Sequence, residues 1–392
     1  MISGDSAGRQ LGLGVLGLHE GRTLLVALTH TAPGPVERSR YIPPGADPPP
    51  GVRRATYARA VAGCDLQEEK IAEARRDAPD LFYTTSYDAL LARDDVDIVA
   101  IYTPDHLHGE HVVRAFEAGK HVICTKPLVN TLADARRVLE SARRTGRRLL
   151  VGQSTRFFES FRRQRAAFER GEIGALELAD AHYVHRMDWF YQKSPWAASE
   201  TDWAFLGMSH PLDLLRWYLG PIAEVHAVAA RSSLARSFGA RSFDIYSVNV
   251  RATSGAVGRA LGHYGLHELP SARNAIELVL YGAEGTSMAQ YHDMRYLHTA
   301  PDGTEITEDM LYSRRGHYFN NEVHGMHYGE FAAYADHFAH ALLEGRPCSP
   351  ELEEAVETVC VMEAVRRSAL SGRPVELAPL LAEAGLEGGS PR

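Results

Sequence analysis

Lys126 is the residue whose position most clearly allows chemistry. It follows the apolar run 122–124 and directly precedes Pro127. Such a run predicts a strand buried on both faces, and ligands of open parallel sheets bind beyond the carboxyl ends of the strands. An ammonium group held there can hydrogen-bond a reacting hydroxyl and stabilise the charge that develops on its oxygen. We therefore predict that Lys126 is catalytic and also contacts a bound cofactor.

His210 is the candidate proton acceptor. It precedes residues 211–218, whose apolar positions have helical spacing, so we expect the histidine at a helix N-terminus. The near-neutral pKa of an imidazole suits proton transfer in general acid–base catalysis. The alternative interpretation is that His210 only caps the helix.

A glycine-rich turn near the N-terminus is the candidate phosphate site. Residues 12–17 spell G-x-G-x-x-G, but they lie inside a predicted strand, whereas a phosphate-binding turn follows its strand and opens a helix. We therefore place the turn between Gly17 and Gly21. His19 stands where a second glycine is expected and hinders close approach of the backbone to a pyrophosphate. Either the turn binds nucleotide poorly, or His19 or Arg22 contacts the phosphates directly.

Asp65 ends the next predicted strand, residues 60–64. An acidic side chain at this position can accept both ribose hydroxyls of a dinucleotide and repel a 2′-phosphate. No arginine follows it immediately, so we predict NAD rather than NADP. The aspartate could also cap the following helix, and the two roles are compatible.

A third strand end carries Thr103 and Pro104, after the apolar run 98–101. Proline has no amide hydrogen for the next rung of the ladder, so the strand stops there. The two residues are expected at the same sheet edge as Lys126, and with His108 they are further candidate cofactor contacts.

These segments together resemble the glucose–fructose oxidoreductase/inositol dehydrogenase (Gfo/Idh/MocA) family. That family carries a T-P-x-x-x-H turn followed by G-K-H-V-x-x-E-K-P, and this chain has Thr103, Pro104 and His108 followed by residues 119–127. The resemblance covers nearly the whole chain. Its other segments are residues 156–157, 171–174, 210–213, 280–285 and 364–370.

The resemblance implies an α/β fold of two domains. Residues 1–152 would form a Rossmann dinucleotide-binding domain, and residues 153–392 an α/β domain with a large, mostly antiparallel sheet. It also implies that the last helices pack back on the first domain, that the open sheet face forms a homodimer or homotetramer, and that Arg156 contacts the cofactor. Two departures are clear: Thr125 replaces a glutamate, and Leu206 replaces the aspartate of a Lys–Asp–His set.

The pattern of the chain is consistent with that architecture. Apolar alternation predicts strands at residues 178–185, 224–231, 247–251 and 276–281, which favours an antiparallel second sheet. A last helix is predicted over residues 350–370, capped by Ser349. Seven prolines between residues 29 and 54 exclude a helix or inner strand there. This insertion is either a tolerated surface loop or a flap over the adenine or at a subunit contact.

The predicted substrate is a sugar, cyclitol or glycoside, because aromatic faces and polar edges suit hydroxylated rings. The candidate pocket residues are Tyr183, Asp188, Trp189, Trp196 and His210. A secondary alcohol would give hydride to nicotinamide C4 while His210 accepts its proton. Two alternatives remain: a redox-neutral lyase or glycosidase that uses bound NAD, and a degenerate, non-catalytic nucleotide-binding protein.

Composition limits the remaining classes. The length of 392 residues fits two domains, and a net charge of −8 argues against a nucleic-acid surface. The four cysteines are widely spaced and form no C-x-x-C pair, so free buried thiols are expected. No apolar leader or membrane span is evident, and a cytoplasmic protein is expected. The 19 histidines show no H-E-x-x-H motif, so no metal site is predicted.

Overall fold

The computed structural model describes residues 9–29, 55–269, 273–310 and 329–386. Nearly all of the proline-rich insertion predicted between residues 29 and 54 lies outside the described residues. The strands of the described part are Leu11–Leu16 (β1), Ala58–Cys64 (β2), Phe82–Thr84 (β3), Ile98–Ile101 (β4), His121–Thr125 (β5), Leu149–Gly152 (β6), Leu176–Val184 (β7), Ile222–Ala230 (β8), Ile245–Ala252 (β9), Val257–His263 (β10), Ile276–Gly282 (β11), Thr286–Tyr291 (β12), Arg295–Thr299 (β13), Glu305–Asp309 (β14) and Val375–Glu376 (β15).

The α-helices lie on the faces and at the junction of two sheets. They are Gly21–Thr29 (α1), Glu68–Asp77 (α2), Tyr87–Leu91 (α3), His108–Glu117 (α4), Leu132–Thr145 (α5), Glu159–Glu169 (α6), Asp188–Lys193 (α7), Trp203–Leu206 (α8), Ser209–Leu219 (α9), Ser233–Ser237 (α10), Glu330–Glu344 (α11), Leu352–Ser371 (α12) and Ala378–Glu383 (α13). Short 3-10 turns stand at Asp105–Leu107, Ser154–Phe157 and Pro195–Ala198.

The first sheet is a six-stranded parallel sheet of Rossmann type. Its strand order is β3-β2-β1-β4-β5-β6, and every neighbouring pair is parallel. All residues of β1, β4 and β6 are buried, as expected when helices cover both faces. The order reverses between β1 and β4, and this reversal opens a crevice at the carboxyl ends of the strands. The predicted dinucleotide-binding architecture is confirmed.

The second sheet has nine strands in the order β14-β13-β12-β11-β7-β10-β9-β8-β15. Its pairs are antiparallel except for the pair of β7 and β10, which is parallel. Strand β9 alternates between buried and more accessible residues because α9 and α12 cover one face of the sheet and leave the other open. The prediction of a large, mostly antiparallel sheet is therefore confirmed.

The helices near the C-terminal end pack on both sheets. Helix α11 lies against α1, β2 and β6, and the Asp336 carboxylate accepts the Tyr57 and Ala58 amide hydrogens at 2.6 and 3.2 Å. Helix α12 contacts β8, α9 and α5. The predicted cap at Ser349 is wrong. Glu351 is the N-cap, and it forms a capping box with Glu354.

Candidate active site

The glycine turn joins β1 to α1 beside the crevice. Gly17 has a φ of +90°, and a Cβ on it would lie 2.6 Å from the Tyr102 carbonyl oxygen. A Cβ on Gly21 would lie 2.5 Å from a methyl group of Val15. Both positions therefore require glycine for the close packing of turn, strand and helix. The amide groups of the first turn of α1 favour an anionic ligand, so the turn fits the pyrophosphate of a dinucleotide.

Two side chains of this turn differ in what surrounds them. The pKa of His19 is lowered, first by burial and then by the nearby positive charges of Lys193 and Lys70. That positive surrounding also favours an anion. The Arg22 guanidinium instead pairs with Asp77 at 2.5 Å and Glu73 at 3.2 Å. The structure thus places Arg22 in the packing of α1 on α2.

Asp65 links the glycine turn to the end of β2. One carboxylate oxygen accepts the Leu18 amide hydrogen at 2.7 Å, and the other accepts that of Gln67 at 2.9 Å. A carboxylate oxygen has lone pairs for more than one donor, so Asp65 can hold the turn and still accept ribose hydroxyls.

His108 braces two strand ends from inside the domain. Its side chain is buried, with Nδ1 2.8 Å from the Pro127 carbonyl oxygen and Nε2 2.8 Å from that of Thr103. The Thr103 hydroxyl lies 2.9 Å from Nδ1 of His111. Thr103 and Pro104 remain partly accessible at the sheet edge. His108 therefore supports the loops that carry Thr103 and Lys126 from behind.

Lys126 lies at the carboxyl end of β5, as expected, and reaches across to the second domain. Its Nζ donates a 2.8 Å hydrogen bond to the Leu206 carbonyl oxygen. Burial lowers the pKa of Lys126, while the carboxylates of Glu20 and Asp105 act in the opposite direction. The position where the family carries an aspartate thus contacts Lys126 through its main chain.

His210 occupies the first turn of α9, as predicted, and is buried. Its ring centroid is 5.5 Å from that of Tyr183 in an edge-to-face arrangement. Leu206 lies four residues before His210. The hydrogen bond from Lys126 to the Leu206 carbonyl therefore brings the lysine close to the segment that leads into α9. Asp202, four residues before Leu206, caps α8 and accepts a hydrogen bond from the Tyr246 hydroxyl at 3.0 Å.

A row of aromatic rings extends from His210. Tyr183 and His185 lie on the same side of β7 and its extension, with ring centroids 6.5 Å apart. The ring centroid of Trp189 lies 6.2 Å from that of His185, and Trp189 is 46% exposed. Such a row offers ring faces and polar edges to a hydroxylated ligand. The ring centroid of Trp196 lies 6.1 Å from that of His106, a residue of the first domain. The aromatic contacts therefore also reach the first domain.

Glu268 is a residue of the candidate site that sequence reasoning missed. Its carboxylate lies 2.7 Å from Nδ1 of His185, and each side chain is roughly a quarter exposed. No local motif marks Glu268, because it follows β10 in a loop and meets His185 only through the fold. Asp188, at the start of α7, receives the Arg186 guanidinium at 3.3 Å.

Arg156 is buried at the domain junction. Its guanidinium makes two 2.7 Å hydrogen bonds to the Asp213 carboxylate and a third of 2.8 Å to the Ser349 hydroxyl. These contacts join the segment after β6 to α9 and to the start of α12. The guanidinium of Arg156 is therefore bound by groups of the protein itself. The structure gives Arg156 a structural role at the domain junction in place of the predicted contact with the cofactor.

The described residues contain no group of three or more histidine, cysteine, aspartate or glutamate side chains arranged to hold a metal ion. The four cysteines are free and buried. None of the helices in the described ranges has the length and apolar character needed to cross a membrane.

Comparison with known families agrees with this geometry. The model of the oxidoreductase family with an NAD-binding Rossmann fold matches residues 38–153, and the model of its C-terminal α/β domain matches residues 165–377. The chain belongs to the Gfo/Idh/MocA oxidoreductase family. Its first domain is accordingly an NAD-binding domain. The N-terminal match begins after β1 and the glycine turn, the part in which His19 departs from the family pattern.

Gfo/Idh/MocA relatives include two sugar or cyclitol dehydrogenases. Inositol 2-dehydrogenase from Gluconacetobacter diazotrophicus is 31% identical over 174 residues, which cover 43% of this chain and 50% of that protein. Levoglucosan dehydrogenase from Pseudarthrobacter phenanthrenivorans is 24% identical over 324 residues, which cover 73% and 81%. The chain thus matches about half the length of the first of these relatives and more of the second.

A solved oxidoreductase structure has the same fold. An oxidoreductase from Agrobacterium radiobacter, in complex with NAD+, L-tartaric acid and magnesium, superposes with a TM-score of 0.77 at 20% identity. The match covers 95% of this chain and all of that one. At this level of identity the comparison shows the fold alone.

Proposed function

We propose that the protein is an NAD-dependent dehydrogenase that oxidises a secondary alcohol of a sugar, cyclitol or glycoside. The observation that carries the proposal is the 2.8 Å hydrogen bond from Lys126 to the Leu206 carbonyl. It places a lysine at the nucleotide-binding sheet edge next to the segment leading to His210. The relatives that act on inositol and levoglucosan support a polyhydroxylated substrate.

Each residue has a separate task in the proposed reaction. NAD supplies the hydride acceptor at its nicotinamide C4 when bound. Lys126 donates a hydrogen bond to the substrate oxygen and stabilises the charge that develops there. His210 accepts the hydroxyl proton. The alcohol thus loses one hydride and one proton, and a ketone is formed.

The pocket and the turn supply orientation. Tyr183, Trp189 and Trp196 would hold the substrate ring, with Asp188 at the rim. Asp65 would accept the ribose hydroxyls and disfavour a 2′-phosphate, while Gly17, His19 and Gly21 would surround the pyrophosphate. Thr103 and Pro104 would flank the nicotinamide. Arg22, Arg156 and His108 would support these groups indirectly, because their polar atoms already bond within the protein.

We further propose a cytoplasmic homodimer or homotetramer assembled through the open face of the second sheet. The free, buried cysteines support a reducing compartment. Val228, Val257 and Tyr281 expose 66%, 46% and 40% of their surface, which supports burial of the strands by a second copy.

The proposal is tested by incubating the purified protein with NAD and a panel of sugars, cyclitols and glycosides. We expect one class to give NADH in proportion to ketone. Conversion of a glycoside without NADH accumulation would instead indicate a redox-neutral lyase or glycosidase. Absence of NADH binding, measured by fluorescence titration, would indicate a degenerate nucleotide-binding protein.

A further inference from the structure

The short helix α8 presents a main-chain carbonyl to Lys126. The last carbonyl groups of a helix have no partner within the helix and therefore accept hydrogen bonds from elsewhere. The Leu206 carbonyl oxygen accepts the Lys126 ammonium at 2.8 Å and lies 3.5 Å from the Ser209 hydroxyl. The ammonium is thus the closer of these two donors. The position of Lys126 depends on where α8 ends.

Side chains at the start of α8 fix the helix in place. The Thr201 hydroxyl donates a hydrogen bond to the Asp105 carboxylate, which belongs to the turn after Pro104 in the first domain. Asp202 accepts the Ala204 amide hydrogen at 2.8 Å, and the Trp203 indole donates to the Tyr191 hydroxyl at 2.6 Å. Of these three contacts, the one between Thr201 and Asp105 joins α8 to the domain that carries Lys126.

Asp105 is suited to this task because it cannot move into solvent. Its side chain is buried, with only 3% of the residue exposed. His106, on the same turn, lies 4.0 Å from the carboxylate. A hydroxyl donor from the second domain meets part of the hydrogen-bonding need of this buried group, and loss of that donor would leave the need unmet.

We propose that Thr201, through its bond to Asp105, is a positioning residue that sets the Leu206 carbonyl as the anchor of Lys126. The inference rests on the proposed role of Lys126 as the reacting lysine. A carbonyl has no net charge and does not itself titrate, so its capacity to accept a hydrogen bond from Lys126 does not change with pH. It lies at position 206, where the family carries an aspartate.

The charged groups around Lys126 are Glu20, from the glycine turn, and Asp105. Both raise the pKa of Lys126 against the larger lowering by burial. A hydrogen bond to the carbonyl also favours the charged ammonium. Loss of this bond should therefore lower the pKa of Lys126 further.

The composition makes this pKa measurable. The chain has only four lysines, Lys70, Lys120, Lys126 and Lys193. Protein labelled with ¹³C at the lysine ε-carbon would give four signals that can be followed by NMR as the pH is changed, and Lys126→Met would assign one of them. The variants to compare are Thr201→Val, Thr201→Ser, and Thr145→Val, which removes a hydroxyl hydrogen bond in α5.

We expect Thr201→Val to lower the pKa of Lys126 and leave the pKa values of the other three lysines unchanged. The same shift should appear in an Asp105→Asn background, where the direct effect of the Asp105 charge on Lys126 is absent. Thr201→Ser, which keeps the hydroxyl, should retain the wild-type value, as should Thr145→Val. An unchanged pKa of Lys126 in Thr201→Val, or a pKa shift shared by all four lysines, would overturn the proposal. If Thr201→Val does not fold, as judged by NADH binding and thermal unfolding, Thr201→Ala takes its place.

The experiment separates this inference from the proposed function, since it needs no substrate. A selective shift of Lys126 in a protein that makes no NADH would sustain the positioning role and reject the dehydrogenase. An unchanged pKa of Lys126 in a protein that makes NADH normally would reject the positioning role and leave the dehydrogenase proposal standing. In an active protein, Thr201→Val should reduce kcat while leaving the Kd for NADH within about twofold of wild type.

Discussion

Arg156 and Asp213 form a two-point ion pair at the junction of the two domains, with both nitrogen–oxygen distances at 2.7 Å. Their side chains are only 2% and 1% exposed. Asp213 lies one turn after His210 on α9, whereas Arg156 follows the last strand of the nucleotide-binding sheet. The pair therefore holds the helix that carries His210 against the domain of Lys126.

Removing one partner of this pair should destabilise the protein strongly. In Asp213→Asn the buried guanidinium loses its two-point carboxylate partner and keeps only Glu354, 3.4 Å away, as a counter-charge. Breaking a buried pair in this way costs about 3–5 kcal/mol, and the remaining carboxylate places the expected loss at the lower end of that range. The double variant Arg156→Met/Asp213→Leu should recover most of that loss, since neither charge remains. Urea unfolding of the three proteins measures the effect. Equal stability of wild type and Asp213→Asn would show that the pair has no structural role.

His210→Ala should slow turnover without abolishing it. Loss of a general base costs on the order of a hundred- to ten-thousand-fold, and water or a neighbouring group can accept the proton slowly. The Kd for NADH should stay unchanged, because His210 is on the second domain. Steady-state rates and fluorescence titration test this together. A variant with wild-type kcat would assign the proton transfer to another group.

Asp65→Asn should weaken the preference for NADH over NADPH. The amide oxygen can still accept the Leu18 amide hydrogen, but the charge that repels a 2′-phosphate is gone. Removal of one charge near the phosphate should lower the ratio of the two Kd values by about tenfold, or about 1.4 kcal/mol. Glu68→Gln, an exposed neighbour on α2, is the control. The assignment fails if both variants keep the wild-type ratio.

Acid should destabilise the protein through His121. Burial, with the nearby charges of Arg147 and Arg148, lowers the pKa of His121 to about 4. Its Nδ1 also accepts the Arg148 amide hydrogen at 3.1 Å, which requires that nitrogen to be unprotonated. The unfolded chain takes up a proton first, so the histidine's contribution is lost as the pH falls from about 6.5 to about 4.

The measurement is the free energy of unfolding against pH for wild type and His121→Gln. Across that pH window the free energy of unfolding of the variant should fall by about 1–2 kcal/mol less than that of wild type, a figure that allows for partial exposure of the ring. His267→Gln, at an exposed loop position, should follow the wild-type curve. Parallel curves for all three proteins would reject the role of His121.

Most of the parallel sheet could be predicted, because its central strands are short apolar runs that end at proline, glycine or charge. The edge strand β3, with the three-residue sequence FYT, was missed. Strand β10 was missed, since its sequence VGRALGH carries two glycines and an arginine. Strand β13, with the sequence RYLHT, likewise lacks a clear apolar alternation. Both strands form because neighbouring strands of the sheet supply hydrogen-bonding partners. Tertiary context thus decides their structure.

The site was predictable where one residue stands at the end of one element. Lys126 and His210 are such residues, and both lie where local patterns placed them. The Leu206 carbonyl was not predictable, because a main-chain acceptor carries no side-chain signature and meets Lys126 only after the two domains pack. The ion pairs of Arg22 and Arg156 also depend on long-range packing. The sequence around each arginine therefore could not indicate which carboxylate it pairs with.

Lys126 is the central residue of the proposed reaction, and a steady-state turnover assay of a Lys126 variant tests its role. Wild type and Lys126→Met would each be mixed with saturating NAD and the substrate found in the panel, and NADH formation followed by absorbance. Both proteins should bind NADH with similar Kd, but the variant should form no measurable NADH during many wild-type turnovers. NADH formation by Lys126→Met at the wild-type rate would contradict the assignment of the active site.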